Sequence, residues 1–467
     1  MREPHELTAA ELSSAFSGRE LSPVEVTEGC LGRIEALDAE INTFCLVDAN
    51  TARKQAEDSE QRWMEGAPLS PLDGVPVAIK DLLLTRGWPT RRGSLTVDPK
   101  GLWTKDAPTV ARLREAGAVL IGKTTTPEFG WKGTTDSPLT GVTRNPWNKQ
   151  KTPGGSSGGS AAALAARFAP LALGTDGGGS IRIPASFCGV FGLKPSFGRV
   201  PAYPLSPFGT VAHVGPMSRT VLDSAMLLNV IAKPDARDWH ALPYQPTDYA
   251  AELESGVKGK RIAFSPRLGH VQRIAPQVED LVAAAAKRFE ELGAHVEQVD
   301  PPGGDVSDLF KTLWWASAGL LLGNLPEDKK AQVDPGLRQI AEEGTRFPLK
   351  AYLDANAARG RYGSAMRQFM EQYDFLLTPS VATTAFDVGQ ISPLDEDGNA
   401  WMNWTPFSFP FNLTQQPAAS IPCGFTREGL PVGLQIVGRM FDDAGVLAAA
   451  AAYELADPQF GNTPPGF

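Results

Sequence analysis

The sequence is poor in the residues on which several common catalytic and binding schemes depend. Its 467 residues include four cysteines, Cys30, Cys45, Cys188 and Cys423, far apart and with no Cys-x-x-Cys pair. That spacing excludes a disulfide scaffold and a thiolate metal cage, and predicts a reduced, cytoplasmic protein. Histidine is equally sparse. His5, His213, His240, His270 and His295 fall in no His-Glu-x-x-His motif, and the chain has no Gly-x-Ser-x-Gly elbow, so neither a metal site nor a histidine-based triad is expected. Long apolar runs are missing too. The stretch TLWWASAGLLLGNLP at 312–326 has 15 residues with polar interruptions, short of the ~20 a bilayer span requires, and reads as a buried helix. The opening MREPHELTAAEL lacks the apolar core of a signal peptide. Positive charge is in deficit: 44 Lys and Arg against 53 Asp and Glu, a formal net charge of −9. A phosphate-tracking basic face is therefore not expected, nor is nucleic acid as a partner.

What is present is a large apolar complement, 42% of the residues, enough for a substantial core without staples. Residues 6–62 carry Leu12, Val24, Val26, Leu31, Ile34 and Leu37 at roughly helical spacing among charges, which predicts an N-terminal helical wrap over 1–62 packed on a unit spanning 63–467. From Pro71 short apolar runs alternate with helices. GVPVAIK and AVLIG read as strands around a helix at 107–116, and KRIAF and AHVEQV read as strands around a helix at 278–292 ended by Gly293. FLLTPS, AASIPCGF and VGLQIVG add three strands, and 442–455 a closing helix. Residues 194–260 read mostly as loop, with a helix at 218–231. This alternation predicts an α/β fold with a mixed sheet and helices on both faces.

Two glycine and serine clusters stand out, TPGGSSGGS around Ser156 and GTDGGGSIRIP around Ser180. The first passes directly into the helix-forming SAAALAARF, so Ser156 and Ser157 sit where a helix start presents unpaired N–H groups. A flexible linker would not be placed there. The second follows the strand-like LALGT, and its successive N–H groups can form an anion-binding concavity, or simply a tight turn capped by a serine. Asp176 and Arg182 flank the turn and can fix it by hydrogen bonds. A hydroxyl nucleophile needs a base, and Lys80 ends the apolar strand GVPVAIK, where alternation puts it on one face with Ala78. Such a lysine could be desolvated, or could form an exposed strand-end pair with Asp81. To act as a base near neutrality, its ordinary pKa of about 10.4 would have to fall far enough to bias the amine by about 4 kcal/mol against the ammonium form.

One match has the wrong context. Gly117-Ala-Val-Leu-Ile-Gly-Lys123-Thr124 fits the phosphate-loop pattern, which would make a nucleotide-binding module of another class. A phosphate loop follows a strand and opens a helix. Here a helix precedes Gly117, the intervening residues are strand formers, and Pro127 follows soon after.

Taken in order, GVPVAIKDL at 74–82, AGAVLIGKTTTPEFG at 116–130, GVTRNPWN at 141–148, TPGGSSGGSAAALAA at 152–166, LGTDGGGSIRIPASFCGVFGLKP at 173–195, GPMSRTVLD at 215–223, and the late QPAASIPCGF and GLPVGLQIVGR resemble the amidase signature family of serine hydrolases. The resemblance implies a large, mixed, twisted sheet surrounded by helices, often in a homodimer. It implies a Ser–cis-Ser–Lys triad with Ser180 as nucleophile, Ser156 as the bridging serine and Lys80 as base, with no metal or cofactor. The N–H groups of Gly177, Gly178, Gly179 and Ser180 would form the oxyanion hole, supported by Ser157, Asp176 and Arg182. Four departures bear on substrate. Gly177 stands where the family more often has a side-chain-bearing residue, which would loosen the loop, and Thr125-Thr126 replaces the commoner Asn-Met. Thr405 stands where glutamine-hydrolysing A subunits of tRNA-dependent amidotransferases usually carry a glutamine-gripping aspartate, and their arginine on the preceding helix has no evident match in PLKAYLDANAARGRYG. The last two weigh against that role. Trp401, Trp404, Phe407, Phe409 and Phe411 are either core or, for Trp404 and Phe407 above all, the lining of an apolar pocket. The expected activity is hydrolysis of a neutral, apolar or aryl carboxamide to an acid and ammonia or an amine, through an acyl-enzyme.

Overall fold

The computed structural model describes residues 3–393, 401–459 and 462–467. In chain order the strands are β1 (Phe44–Val47), β2 (Pro76–Lys80), β3 (Val119–Thr124), β4 (Asp136–Ser137), β5 (Gly141–Val142), β6 (Leu171–Asp176), β7 (Phe191–Lys194), β8 (His213–Ser218), β9 (Arg261–Phe264), β10 (His295–Gln298), β11 (Phe375–Pro379), β12 (Ala418–Phe425) and β13 (Pro431–Gly438). β4 and β5 form a small antiparallel pair. The other eleven make one sheet in the order β1-β3-β2-β6-β8-β7-β12-β13-β11-β9-β10. Pairing is parallel for β2 with β3 and β6, and for β9 with β10 and β11; the remaining pairs are antiparallel.

The central strands β2, β3 and β13 are buried at every position, as strands covered on both faces must be. Side-chain alternation then divides the interior into two cores. On β11, Phe375 and Leu377 enter one core and Leu376 the other, and on β9 Ile262 and Ala263 part in the same way. Helices Pro23–Ile41, Pro276–Glu291 and Asp443–Ala456 pack into the first core; Ser307–Gly323, Pro335–Thr345 and Leu349–Met370 pack into the second.

The structure departs from the sequence reading in two places. The N-terminal segment is not wholly helical: Asn42 in the left-handed region ends its second helix, and the β-forming Phe-Cys-Leu-Val that follows pairs antiparallel with β3 as an edge strand. Residues 194–260, expected mostly as loop, contain β8, which pairs with β6 and β7. Its His-Val-Gly-Pro-Met-Ser has no clean apolar alternation, and burial of all six residues replaces that signal. The apolar stretch at 312–326 falls largely within helix Ser307–Gly323. Among the described residues no helix is long and apolar enough to cross a membrane.

Candidate active site

β2 and β6 are parallel neighbours, so Lys80 and the Thr175–Asp176 pair emerge at the same edge of the sheet, where open α/β sheets place their ligands. Ser157 occupies the position before helix Gly158–Ala165, yet its side chain makes no capping bond. It is engaged elsewhere. Its Oγ accepts from Thr175 N–H and donates to the Thr175 carbonyl, both at 3.2 Å. Lys80 Nζ lies 2.8 Å from Ser156 Oγ, 2.8 Å from Ser157 Oγ and 2.9 Å from Thr175 Oγ1, with no carboxylate in contact. Lys80 is fully buried. Burial holds its pKa well below the ordinary lysine value, although Asp176 pulls the other way. The exposed Lys80–Asp81 pair considered from the sequence is not formed. The Gly155–Ser156 peptide bond is cis.

Ser180 sits between β6 and helix Arg182–Cys188, almost buried, and its carbonyl accepts from Ser157 N–H at 3.0 Å. The turn that carries it is held by Asp176. One carboxylate oxygen accepts from Gly179 N–H (2.8 Å) and the other from Ile181 N–H (3.1 Å). Arg182 donates to both through Nε and Nη2 (3.0 and 2.9 Å). Burial alone would raise the Asp176 pKa, but Arg182 and the hydrogen bonds hold it well below the usual carboxylate range. Arg182 spends its other donors on the Ser408 carbonyl, Gln435 Oε1 and Asn412 Oδ1. Both charges are thus structural.

Of the four N–H groups expected to face an oxyanion, one is engaged elsewhere. Gly179 N–H is already bonded to Asp176, whereas those of Gly177, Gly178 and Ser180 donate to no acceptor among the described residues. The peptide leading into Gly177 is fixed from its carbonyl side: Asp176 O accepts from Asn412 Nδ2 at 3.0 Å and lies 3.2 Å from His213 Nδ1. Nor is the loop loosened by Gly177. A Cβ there would meet Trp314 Cζ3 at 2.9 Å, so the indole fills the space a side chain would take.

Ser156, Ser180, Thr175 and Gly177 border a cavity of about 430 Å³ whose wall includes Leu82, Leu83, Phe129, Tyr203, Phe208 and Trp314. Phe208 stacks on Trp314 with ring centroids 3.8 Å apart. Trp404 and Phe407, expected in the pocket, are not in this wall. Both are fully buried: Trp404 stacks on Phe187 at 5.6 Å, and Phe407 belongs to the second core. Thr405 is buried as well, its hydroxyl donating to the Trp401 carbonyl. The Gly117–Thr124 match ends as β3, and Lys123 Nζ is buried against the Leu83 carbonyl (2.6 Å) and Thr90 Oγ1 (2.9 Å), unavailable to a phosphate. Thr175 was missed, although its place at the end of LALGT beside the glycine loop was a usable signal. Trp314 and Phe208 gave none, because each lies far from the site in sequence.

The fold and these clusters define an amide-hydrolase scaffold. The amidase family model matches residues 25–447, and the chain belongs to the amidase signature family of hydrolases acting on amides. It is 38% identical over 97% of its length to an acylamidase from Rhodococcus erythropolis, covering 96% of that protein. It is 36% identical to the glutamyl-tRNA(Gln) amidotransferase A chain from Chloroflexus aurantiacus, over 97% of each protein. A bacterial aryl acylamidase of the same family superposes with a TM-score of 0.91 at 32% identity, over 99% of both chains.

Proposed function

We propose that the protein hydrolyses a neutral carboxamide with an apolar or aryl body, without a partner protein, using Ser180 as nucleophile, Ser156 as proton carrier and Lys80 as base. The observation that carries this reading is the buried Lys80 amine, 2.8 Å from Ser156 Oγ and free of any carboxylate contact. An uncharged amine has two N–H donors and one lone pair. Ser157 Oγ and Thr175 Oγ1 can take the donors, leaving the lone pair to accept from Ser156 O–H. As Ser180 Oγ attacks the amide carbon, its proton passes to Ser156, and the Ser156 proton passes to Lys80. The N–H groups of Gly177, Gly178 and Ser180 face the developing oxyanion, where loss of one such donor costs about 3 kcal/mol. Reversal of the relay protonates the leaving nitrogen as the C–N bond breaks. Water then attacks the acyl-enzyme and releases the acid.

The apolar wall supports an apolar or aryl body, as does likeness to an acylamidase and an aryl acylamidase. The amidotransferase relative favours glutamine as a second reading. Glutamine brings an ammonium group that needs a free carboxylate, and Asp238, the one acidic residue in the cavity wall among those described, already accepts from Ala202 and His240 N–H. Thr405 supplies no charge. The test is the purified chain alone against a panel of aryl and aliphatic amides, with ammonia or amine as readout and a fluorophosphonate to mark the nucleophile. Turnover by the lone chain and labelling that disappears in Ser180→Ala are expected. Labelling at another serine refutes the site, and activity only on glutamine with added partner proteins refutes the substrate.

A further inference from the structure

The cavity wall contains one cation that the relay leaves unused. Arg92 borders the same cavity as Ser156 and Ser180, is partly buried, and its guanidinium has no hydrogen-bond or ion-pair partner among the described residues. Other arginines around the site are committed. Arg182 is bonded to four residues, and Arg359 donates to the Leu413 and Thr210 carbonyls and to Thr210 Oγ1. Asp81 acts on the Arg92 guanidinium through its charge but forms no ion pair or side-chain hydrogen bond with it. Its carboxylate accepts from the N–H groups of Arg91 (3.2 Å) and Gly93 (3.4 Å) and lies 3.6 Å from Lys123 Nζ.

The backbone holds Arg92 in place at some strain. Its φ is 57°, a region non-glycine residues occupy only where the surroundings enforce it. Four contacts enforce it: the two bonds to Asp81, the bond from Phe129 N–H to the Arg92 carbonyl at 2.8 Å, and the close approach of Gly93, where a Cβ would meet the Thr126 carbonyl at 2.5 Å. Phe129 leads into Gly130, whose own Cβ position would lie 3.2 Å from Ser156 Oγ. The turn is thereby tied to the segment that touches the serines. Arginine keeps its proton in proteins, and Asp81 offsets the Arg92 charge only at a distance, with no ion pair formed, so the guanidinium donors stay open toward the apolar cavity. That arrangement is satisfied when a ligand brings the partner.

Resting on the reading of Ser180 as nucleophile, but revising the neutral body proposed above, we infer that Arg92 is a substrate-anchoring residue whose guanidinium receives an oxygen acceptor, a carboxylate or carboxyl ester, carried on the apolar or aryl body of the amide. The preference is graded, because a guanidinium fork binds a carboxylate more strongly than a neutral carbonyl.

The test uses ring-substituted benzamides and acetanilides bearing carboxylate, methyl ester or methyl, so that the acceptor is presented from either side of the scissile bond. In one series the kcat/KM ratio of carboxylate to methyl should be about tenfold or more in the wild-type enzyme, with the ester between. It should fall to within about twofold of unity in both Arg92→Leu and Arg92→Gln and be partly kept in Arg92→Lys. A wild-type enzyme without the preference, or variants that retain it, overturns the assignment. Calorimetric binding of the same carboxylate probes to Ser180→Ala, with and without Arg92→Leu, separates the two readings. If no amide is turned over, the hydrolytic reading fails while the affinity difference still judges Arg92, and equal affinities overturn it.

Discussion

Replacing Lys80 with methionine tests the relay through stability as well as rate. The side chains are similar in length, and Ser157 retains its bonds to Thr175 in the variant. In the fold, burial holds the Lys80 pKa well below its ordinary value, whereas in the unfolded chain the amine titrates near 10.4. The unfolded state therefore binds the extra proton, and stability must rise with pH at about 1.4 kcal/mol per pH unit wherever unfolded Lys80 is charged and folded Lys80 is neutral. The penalty is complete below the folded pKa, is relieved through the interval up to the ordinary value, and vanishes above it. Methionine has no such proton. If Lys80 is already uncharged at pH 7 in the fold, as the relay requires, urea unfolding of both proteins at pH 7, 8 and 9 should show wild-type stability gaining about 1.4 kcal/mol per pH unit relative to Lys80→Met, other titrating groups cancelling in the difference. Turnover of a simple amide by the variant should fall by about 10²–10⁴, the range of general-base contributions. Parallel pH dependences would mean that Lys80 is charged in the fold, and the relay could not begin from it.

Asp176→Asn should destabilise the protein by about 3–5 kcal/mol, because it leaves the fully buried Arg182 without its counter-charge. The advantage over the variant exists above the ordinary carboxylate pKa near 3.9 and declines as pH falls toward the lower folded value, which acid-unfolding curves would display. Gly177→Ile should lower kcat strongly by driving Trp314 off the loop, and Trp314→Ala in the same chain should recover part of the loss; additive effects in this double-mutant cycle would rule out the contact as the cause. Trp314→Ala alone should raise KM for aryl amides more than for acetamide, measured by steady-state kinetics, since it removes the ring that stacks on Phe208 in the cavity wall.

The difference between what the sequence disclosed and what it withheld follows from how each part of the site is built. Lys80, Ser156 and Ser180 were legible because each sits in a short segment whose local pattern already restricts its geometry: a lysine ending an apolar strand, serines opening a helix, a serine closing a glycine turn. Asp176 and Arg182 were legible for the same reason, since the turn they brace lies between them. The pocket obeys a different rule. Its wall combines Leu82 and Phe129 from near the lysine, Phe208 from a proline-rich connection and Trp314 from a helix of the second core, and no local period says which face of such a helix meets a distant loop. The aromatic cluster at 401–411, read as either core or lining, shows the reverse case. Aromatic residues close in sequence suggested a lining, but Trp404 and Phe407 are drawn into the interior by Phe187 and the second core. Even Gly179 was misread on this ground, because its N–H faces a carboxylate three residues back rather than the cavity. The proposed relay is thus drawn from contiguous motifs, whereas the cavity wall is drawn from residues far apart in the chain. Arg92 lies between these cases: its turn is local, but that its guanidinium has no hydrogen-bond or ion-pair partner among the described residues is visible only in three dimensions.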